Sequence, residues 1–168
     1  QRDPSYISIE REMATSVQLP GAKAHVTLKQ VQVFQQAVED HQFLSEYVST
    51  VQQSAALFGE PEPRKRLASM RAFLAEHVVG HFAFEERHVF PKLLEAESVA
   101  ATRQAVTDLI DEHRVMLASA RKLRRRIRNA QESGNARSLG RLEQSFRDFL
   151  HVLQAHAVKE DNILLAFK

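Results

Sequence analysis

The chain contains no cysteine and no tryptophan, and only five glycines and five prolines among 168 residues. Without cysteine there are no disulfides, thiolate metal sites, iron–sulfur clusters or cysteine nucleophiles. No uninterrupted apolar run approaches the roughly 18 residues of a membrane-spanning helix, so no membrane span is expected. Glycine-rich nucleotide loops, nucleophile elbows and zinc-finger spacings are missing. Neither sign of charge dominates: 23 Lys and Arg against 21 Asp and Glu leave a formal charge of +2, which demands no nucleic-acid partner. Gln1 to Ser8 lack the basic-then-apolar layout of a secretory signal, and the cytoplasm is the expected compartment. What the chain does have is eight histidines and 43% hydrophobic residues, enough for one domain with a real core. Any metal here must be held by imidazole and carboxylate.

The apolar periodicity is helical throughout, and no segment alternates as a half-buried strand would. Val31, Phe34, Val38, His41, Leu44, Val48 and Val51 advance by three or four, predicting a first helix from about residue 25 to Phe58. Gly59-Glu60-Pro61-Glu62-Pro63 is a turn. Leu67, Met70, Leu74, His77, His81, Phe84 and His88 mark the face of a second helix, expected to end at Pro91. A third follows Val106, Leu109, Ile110, His113, Met116, Leu117, Ala120 and Ile127, with Ser133-Gly134-Asn135 as the break. The fourth follows Leu139, Leu142, Phe146, Phe149, Leu153, His156, Ile163 and Phe167. Four amphipathic helices with short connections predict an all-α, up-down-up-down antiparallel four-helix bundle over residues 25–168, after an N-terminal extension over 1–24.

Each stripe carries a histidine at a core-facing position: His41, His81, His113 and His156. Four buried imidazoles on facing helices are costly unless something satisfies them, and a bound cation does so directly. Two are followed four residues later by glutamate, giving His81/Glu85 and His156/Glu160, a spacing that places both side chains on one helix face. Chance alone supplies ~0.7 such pairs in a chain of this composition, so the spacing says little by itself. The repeat says more. His41 precedes His81 by 40 residues and His113 precedes His156 by 43; Asp40 and Glu112 sit just before the lone histidines, and Glu86 and Asp161 just after the glutamates. The chain therefore reads as two similar helical hairpins, each offering His, His and Glu. Packed together, they suit two divalent metals with bridging carboxylates: iron first, then manganese or zinc.

Asp40-His41, His81-Phe82-xx-Glu85-Glu86-xx-Val89-Phe90-Pro91, Glu112-His113 and His156-xxx-Glu160-Asp161 together resemble the hemerythrin-like, HHE cation-binding family over roughly residues 30 to 166. The resemblance implies a four-helix bundle holding two iron ions, bridged by carboxylates and an oxo or hydroxo group, that meet dioxygen, peroxide or nitric oxide. Oxygen-carrying hemerythrins place a fifth histidine four residues after the one on the third helix; this chain has Leu117 there. Hemerythrins proper place an aspartate five residues after the last histidine, which Asp161 fits, whereas the HHE pattern places a glutamate four after, which Glu160 fits. Glu160 also completes the internal repeat and is the expected ligand, with Asp161 the alternate. Four histidines with two glutamates resemble the iron-sensing and iron-centre-repair branch more than the oxygen carriers.

His77, one turn before His81, is an extra ligand, a proton-moving neighbour or a gate. His25, His88 and His151 read as surface or boundary residues. Gly80 inside a helix marks a close helix approach or ligand access, or is merely tolerated there. Six of the eight residues Arg121–Arg128 are basic. They are either the solvated end of a helix, where cations suit the dipole, or a docking patch, with a protein favoured over nucleic acid as partner. Three readings remain: a di-iron centre that binds, senses or reduces a small ligand, a non-enzymatic iron or oxygen sensor acting through a partner, and a bare structural bundle.

Overall fold

A computed structural model describes residues 16–17, 26–54, 56–96, 100–133 and 136–165. Four long helices account for nearly all of them: α1 Leu28–Gln53, α2 over 63–96, α3 Ala100–Ser133 and α4 Ala136–Leu164. Ser16–Val17 pairs antiparallel with Val26–Thr27, an extended contact absent from the sequence reading. The remainder of the expected extension over 1–24, and His25, lie outside the described residues. Among the described residues no helix is long and apolar enough to cross a membrane.

The helices meet in register-specific pairs. His41, Ser49 and Gln52 of α1 contact Asp161, Gln154 and Arg147 of α4. Glu112 and Arg126 of α3 meet His156 and Ser145 of α4. Gln30, His41 and Tyr47 of α1 face Lys92, Glu85 and Phe73 of α2.

The core divides into two apolar clusters. One is built around Val48, Met70, Leu74, Ile127 and Phe146, the other around Phe34, Phe90, Leu93 and Leu109. Between them, at the same level on all four helices, lies a layer of buried polar residues: His41, Glu85, His113, His156 and Glu160. Two apolar clusters can supply the hydrophobic stabilisation of the bundle on either side of a layer that supplies none.

Helix α2 departs from the expected stripe in an instructive way. Leu67, Met70 and Leu74 are buried as expected, but the buried positions then run Val78, Phe82, Glu85, Val89 and Leu93, while His77 and His88 are exposed and His81 and Phe84 half-buried. Repeated steps of four drift around an α-helix of 3.6 residues per turn. Two π-helical turns, Leu74–Val78 and Glu85–Val89, absorb that drift by widening the helix. Pro91 was expected to end this helix; instead the α-helical turn Phe90–Ala96 continues past it. The Phe90 N–H still reaches back five residues to the Glu85 carbonyl. Pro91 thus stands where the ladder changes from π to α, and there a missing N–H and a bulky ring disturb the helix least.

Helix α1 stops at Gln53, short of the expected Phe58. A 3₁₀ turn, Leu57–Gly59, follows, with Phe58 at φ 61° and Gly59 at φ 66°. Phe58 is held in the left-handed region by its ring, which packs on Tyr47, Phe73 and Phe146. The carbonyls left over at the helix end are taken by a cation from α4: Arg147 donates to the Gln52 carbonyl at 2.7 Å and the Ser54 carbonyl at 3.4 Å. Arg147→Ala should therefore lower stability by about 1.5–3 kcal/mol, the range for charge-assisted hydrogen bonds. Thermal unfolding checks this, and metal content should stay unchanged because Arg147 lies well away from the polar layer.

Candidate metal centre

The buried polar layer is assembled from one or two residues of each helix. Phe34 and Leu44 of α1 turn inward, and helical periodicity carries His41 to the same face, where it is fully buried. The second π turn begins at Glu85 and brings that carboxylate into the core beside His41. On α3, His113 lies between buried Leu109 and Met116; on α4, His156 and Glu160 lie between Leu153 and Leu164.

Two triads result, His41/His81/Glu85 and His113/His156/Glu160, each with its potential ligand atoms within 4.8 Å of one another. In the first, Glu85 Oε1 lies 2.7 Å from His41 Nε2 and 3.0 Å from His81 Nε2. In the second, His113 Nε2 and His156 Nε2 face each other at 2.9 Å, and Glu160 Oε2 is 3.4 Å from His156 Nε2. The carboxylates also cross between triads. Glu85 Oε2 is 3.5 Å from His113 Nε2, and Glu160 Oε2 is 3.5 Å from His41 Nε2. Phe82 lies between the halves, stacked on the His113 ring at 3.9 Å and edge-on to His156.

The atoms facing inward are under-satisfied. His81 Nε2, Glu85 Oε2 and both Glu160 oxygens are buried without a hydrogen-bond partner. Each such atom costs about 1–3 kcal/mol when no partner compensates it. Imidazole nitrogens and carboxylate oxygens converging in an apolar enclosure form a donor set suited to divalent iron, manganese or zinc. The residues present fit such ions, with His41, His81 and Glu85 able to hold one and His113, His156 and Glu160 the other.

The outer ring nitrogens are bound to carboxylates. His41 Nδ1 donates to Asp161 at 2.6 Å, His156 Nδ1 to Glu112 at 2.8 Å and His113 Nδ1 to Glu86 at 3.1 Å. Such partners fix ring orientation and raise ligand basicity. Asp161, the alternate ligand, therefore stands behind His41 and outside both triads. Glu86 and Glu112 stand in the sequence as acids beside Glu85 and His113; adjacency to one candidate ligand was the signal that they brace a candidate ligand on the neighbouring helix.

His77 is outside both triads. Its exposed ring packs on Tyr47 and Phe73 and lines a cleft with His81, Asp40 and Gly80. His88 packs on Phe84, and His151 is exposed. Gly80 makes no close helix approach: a Cβ there would meet nothing within 4 Å, and the residue lines the cleft over His81. Leu117, where a fifth histidine would stand, packs against the larger apolar cluster.

The charges of the layer offset one another. Burial opposes protonation of His41, yet hydrogen bonds and charges from Glu85, Glu160 and Asp161 outweigh it and push the imidazole up to about 9. Burial would raise Glu85, but His41 and His81 pull it down to about 2. Burial, aided by the charge of His156, pushes His113 down to about 4. Burial and the adjacent Glu85 charge raise Glu160. These shifts predict how the metal-free protein responds to pH. His41, raised from 6.5, contributes stability that is fully present below pH 6.5 and lost as pH rises through 9. His113 acts with the opposite sign: neutral in the fold down to about 4, it costs stability as pH falls below 6.5. Melting of metal-free protein should therefore drop between pH 6.5 and 9. Metal uptake near neutrality should release protons, because the ligand nitrogens must be deprotonated. A melting temperature that stayed flat over that range would contradict the assignment.

The family model of the hemerythrin HHE cation-binding domain matches residues 33–167. No curated protein and no solved structure matches the chain.

Proposed function

Because this chain belongs to the hemerythrin HHE cation-binding family, we propose that it is a cytoplasmic non-haem di-iron protein that binds, senses or reduces dioxygen, peroxide or nitric oxide. The metal-binding unit is an up-down-up-down antiparallel four-helix bundle over 25–168, following an extension over 1–24. In support of that topology, contact partners on α4 fall in number as those on α1 rise.

The observation that carries the reading is the pair of His/His/Glu triads whose glutamates each face imidazoles of both halves. His41, His81, His113 and His156 would hold two iron ions, with Glu85 and Glu160 bridging them. When bound, two ferrous ions supply two electrons, enough to take a small ligand down by one two-electron step. Phe82, Leu44, Met116 and Leu153 wall the layer with apolar surface that restricts water and admits small neutral molecules. Asp161, Glu86 and Glu112 accept the outer imidazole protons and hold the rings in place. With Leu117 in place of a fifth imidazole, the chain would supply one ligand fewer to one of the ions. That favours peroxide breakdown, nitric oxide handling or iron release over reversible oxygen carriage.

Anaerobic iron loading followed by metal analysis and a near-ultraviolet spectrum tests this. About two ions per chain are expected, with a ligand-to-metal band once admitted air oxidises the ferrous ions to ferric, and both are lost in His81→Ala plus His156→Ala. Iron-loaded protein that retains no metal, or a double variant with its full complement, would refute it.

A sensor reading is favoured by one observation. Helix α3 carries both His113 and the Arg121–Arg128 stretch. Arg121, Lys122, Arg124, Arg125 and Arg128 form no ion pair with any described residue, so their charge is available to an acidic protein partner. Steady-state turnover of peroxide or nitric oxide supports the enzyme; metal-dependent capture of a partner without turnover supports the sensor.

A further inference from the structure

The repeat that builds the two triads is not matched in their surroundings. Aligning the sequence of the first hairpin with that of the second, His41 with His113 and His81 with His156, sets Asp40 against Glu112, Gly80 against Ala155 and Phe84 against Lys159. These same residues line two clefts, one of about 260 Å³ over His81 and one of about 660 Å³ over His156, so the clefts are counterparts. Their chemistry differs. Over His156, one Glu112 oxygen accepts from the imidazole Nδ1 at 2.8 Å while the other holds the Lys159 ammonium. Over His81 no cation stands at Lys159's place, since Phe84 occupies it. Asp40 is engaged by its own helix, accepting from Gln36 Nε2 at 2.9 Å. His81 Nδ1 consequently has no hydrogen-bond partner among the described residues. Although its cleft is the smaller, the His81 side chain is 10% exposed, against 2% for His156.

Resting on the di-metal reading above, we propose that the two half-sites bind metal unequally and in order. The His113/His156/Glu160 half fills first and keeps its ion. The His41/His81/Glu85 half fills second and releases first, leaving a one-metal state between the empty and full forms. The physical reason is orientation and basicity. Both imidazoles of the tight half donate their outer N–H to a carboxylate, Glu86 and Glu112, whereas in the labile half only His41 does so. Loss of such a partner costs about 10–100-fold in metal affinity. The labile half is also the one whose imidazole reaches solvent, giving its ion a shorter path out.

Calorimetric titration of the metal-free protein with Co²⁺, followed in parallel by the visible Co²⁺ spectrum, tests the order. Two steps are expected, with affinities about 10–100-fold apart, beyond the separation that statistics gives two equal sites. His81→Ala should delete the weaker step and keep the tighter; His156→Ala should delete the tighter. Glu112→Gln, which keeps size and an acceptor oxygen but loses charge, should weaken the tighter step and narrow the gap, with unchanged circular dichroism as the check on folding. Two ions taken up with one affinity, or His81→Ala abolishing the tighter step, would overturn the order while leaving the di-metal reading standing. No uptake at all would overturn both.

Discussion

Glu85→Ala should empty both half-sites at once, reducing the bound metal from two ions per chain to less than one. Glu85 spans the layer with both carboxylate oxygens, whereas Glu160 reaches both halves through Oε2 alone. One Glu85 oxygen lies 2.7 Å from His41 Nε2 and 3.0 Å from His81 Nε2, and the other is 3.5 Å from His113 Nε2. Removing even a supporting partner of a ligand costs about 10–100-fold in affinity, and a shared ligand should cost at least that at each site. The metal-free protein should suffer too. The His41 imidazolium, which Glu85 helps push up to about 9, would lose the carboxylate closest to its inner nitrogen, with Asp161 still 2.6 Å from the outer one. Breaking a buried pair in this way costs about 3–5 kcal/mol. Elemental analysis and thermal unfolding of the variant measure the two effects separately. Glu85→Gln, which preserves shape, separates loss of ligation from loss of packing, and His88→Ala, on the exposed face of α2, should leave both ions in place. Two ions retained at wild-type affinity in both Glu85 variants would exclude Glu85 as a bridge.

Chelation should lower the melting temperature substantially without abolishing the fold. An ion held at a thousand times its Kd adds about 4 kcal/mol to stability. For a chain of this size, 1 kcal/mol moves the midpoint by about 2–4 °C, so each ion removed should cost about 8–16 °C. The loss is confined to the polar layer because the two apolar clusters lie on either side of it and need no metal to pack. Hydrogen exchange should therefore accelerate around His41, Glu85, His113 and His156 and remain slow around Met70, Ile127 and Phe146. A melting temperature indifferent to a strong chelator, with metal shown to leave, would mean that the layer is satisfied without ions.

Much of this was legible along the chain, for a physical reason that differs from feature to feature. Helices α1, α3 and α4 follow from their apolar stripes because a regular α-helix converts sequence spacing directly into direction. The ligand candidates were legible because the repeat set histidines where burial demands leucine. In α2 the same reasoning slipped by one residue after Leu74, since a π turn changes the conversion between number and angle, and nothing in single-residue propensity announces it. The Pro91 expectation failed at the other π turn for the same cause. Arg147 gave no sign of its role because the carbonyls it serves lie at the end of α1 and just beyond it, 95 and 93 residues away in sequence.

The order of residues alone determined that the chain is helical, that any metal chemistry must rest on imidazole and carboxylate, and which histidines and glutamates recur as a set. These are properties of composition and local periodicity, which no packing can alter. Tertiary structure decided which atoms face each other. It placed Asp161 behind His41 instead of between the halves, gave Glu112 to His156 and left Asp40 to Gln36. It thereby made two half-sites of similar sequence unequal in surroundings. Pairings of that kind depend on helix phase and on the neighbour across a gap of a few ångströms, quantities that exist only once all four helices have packed.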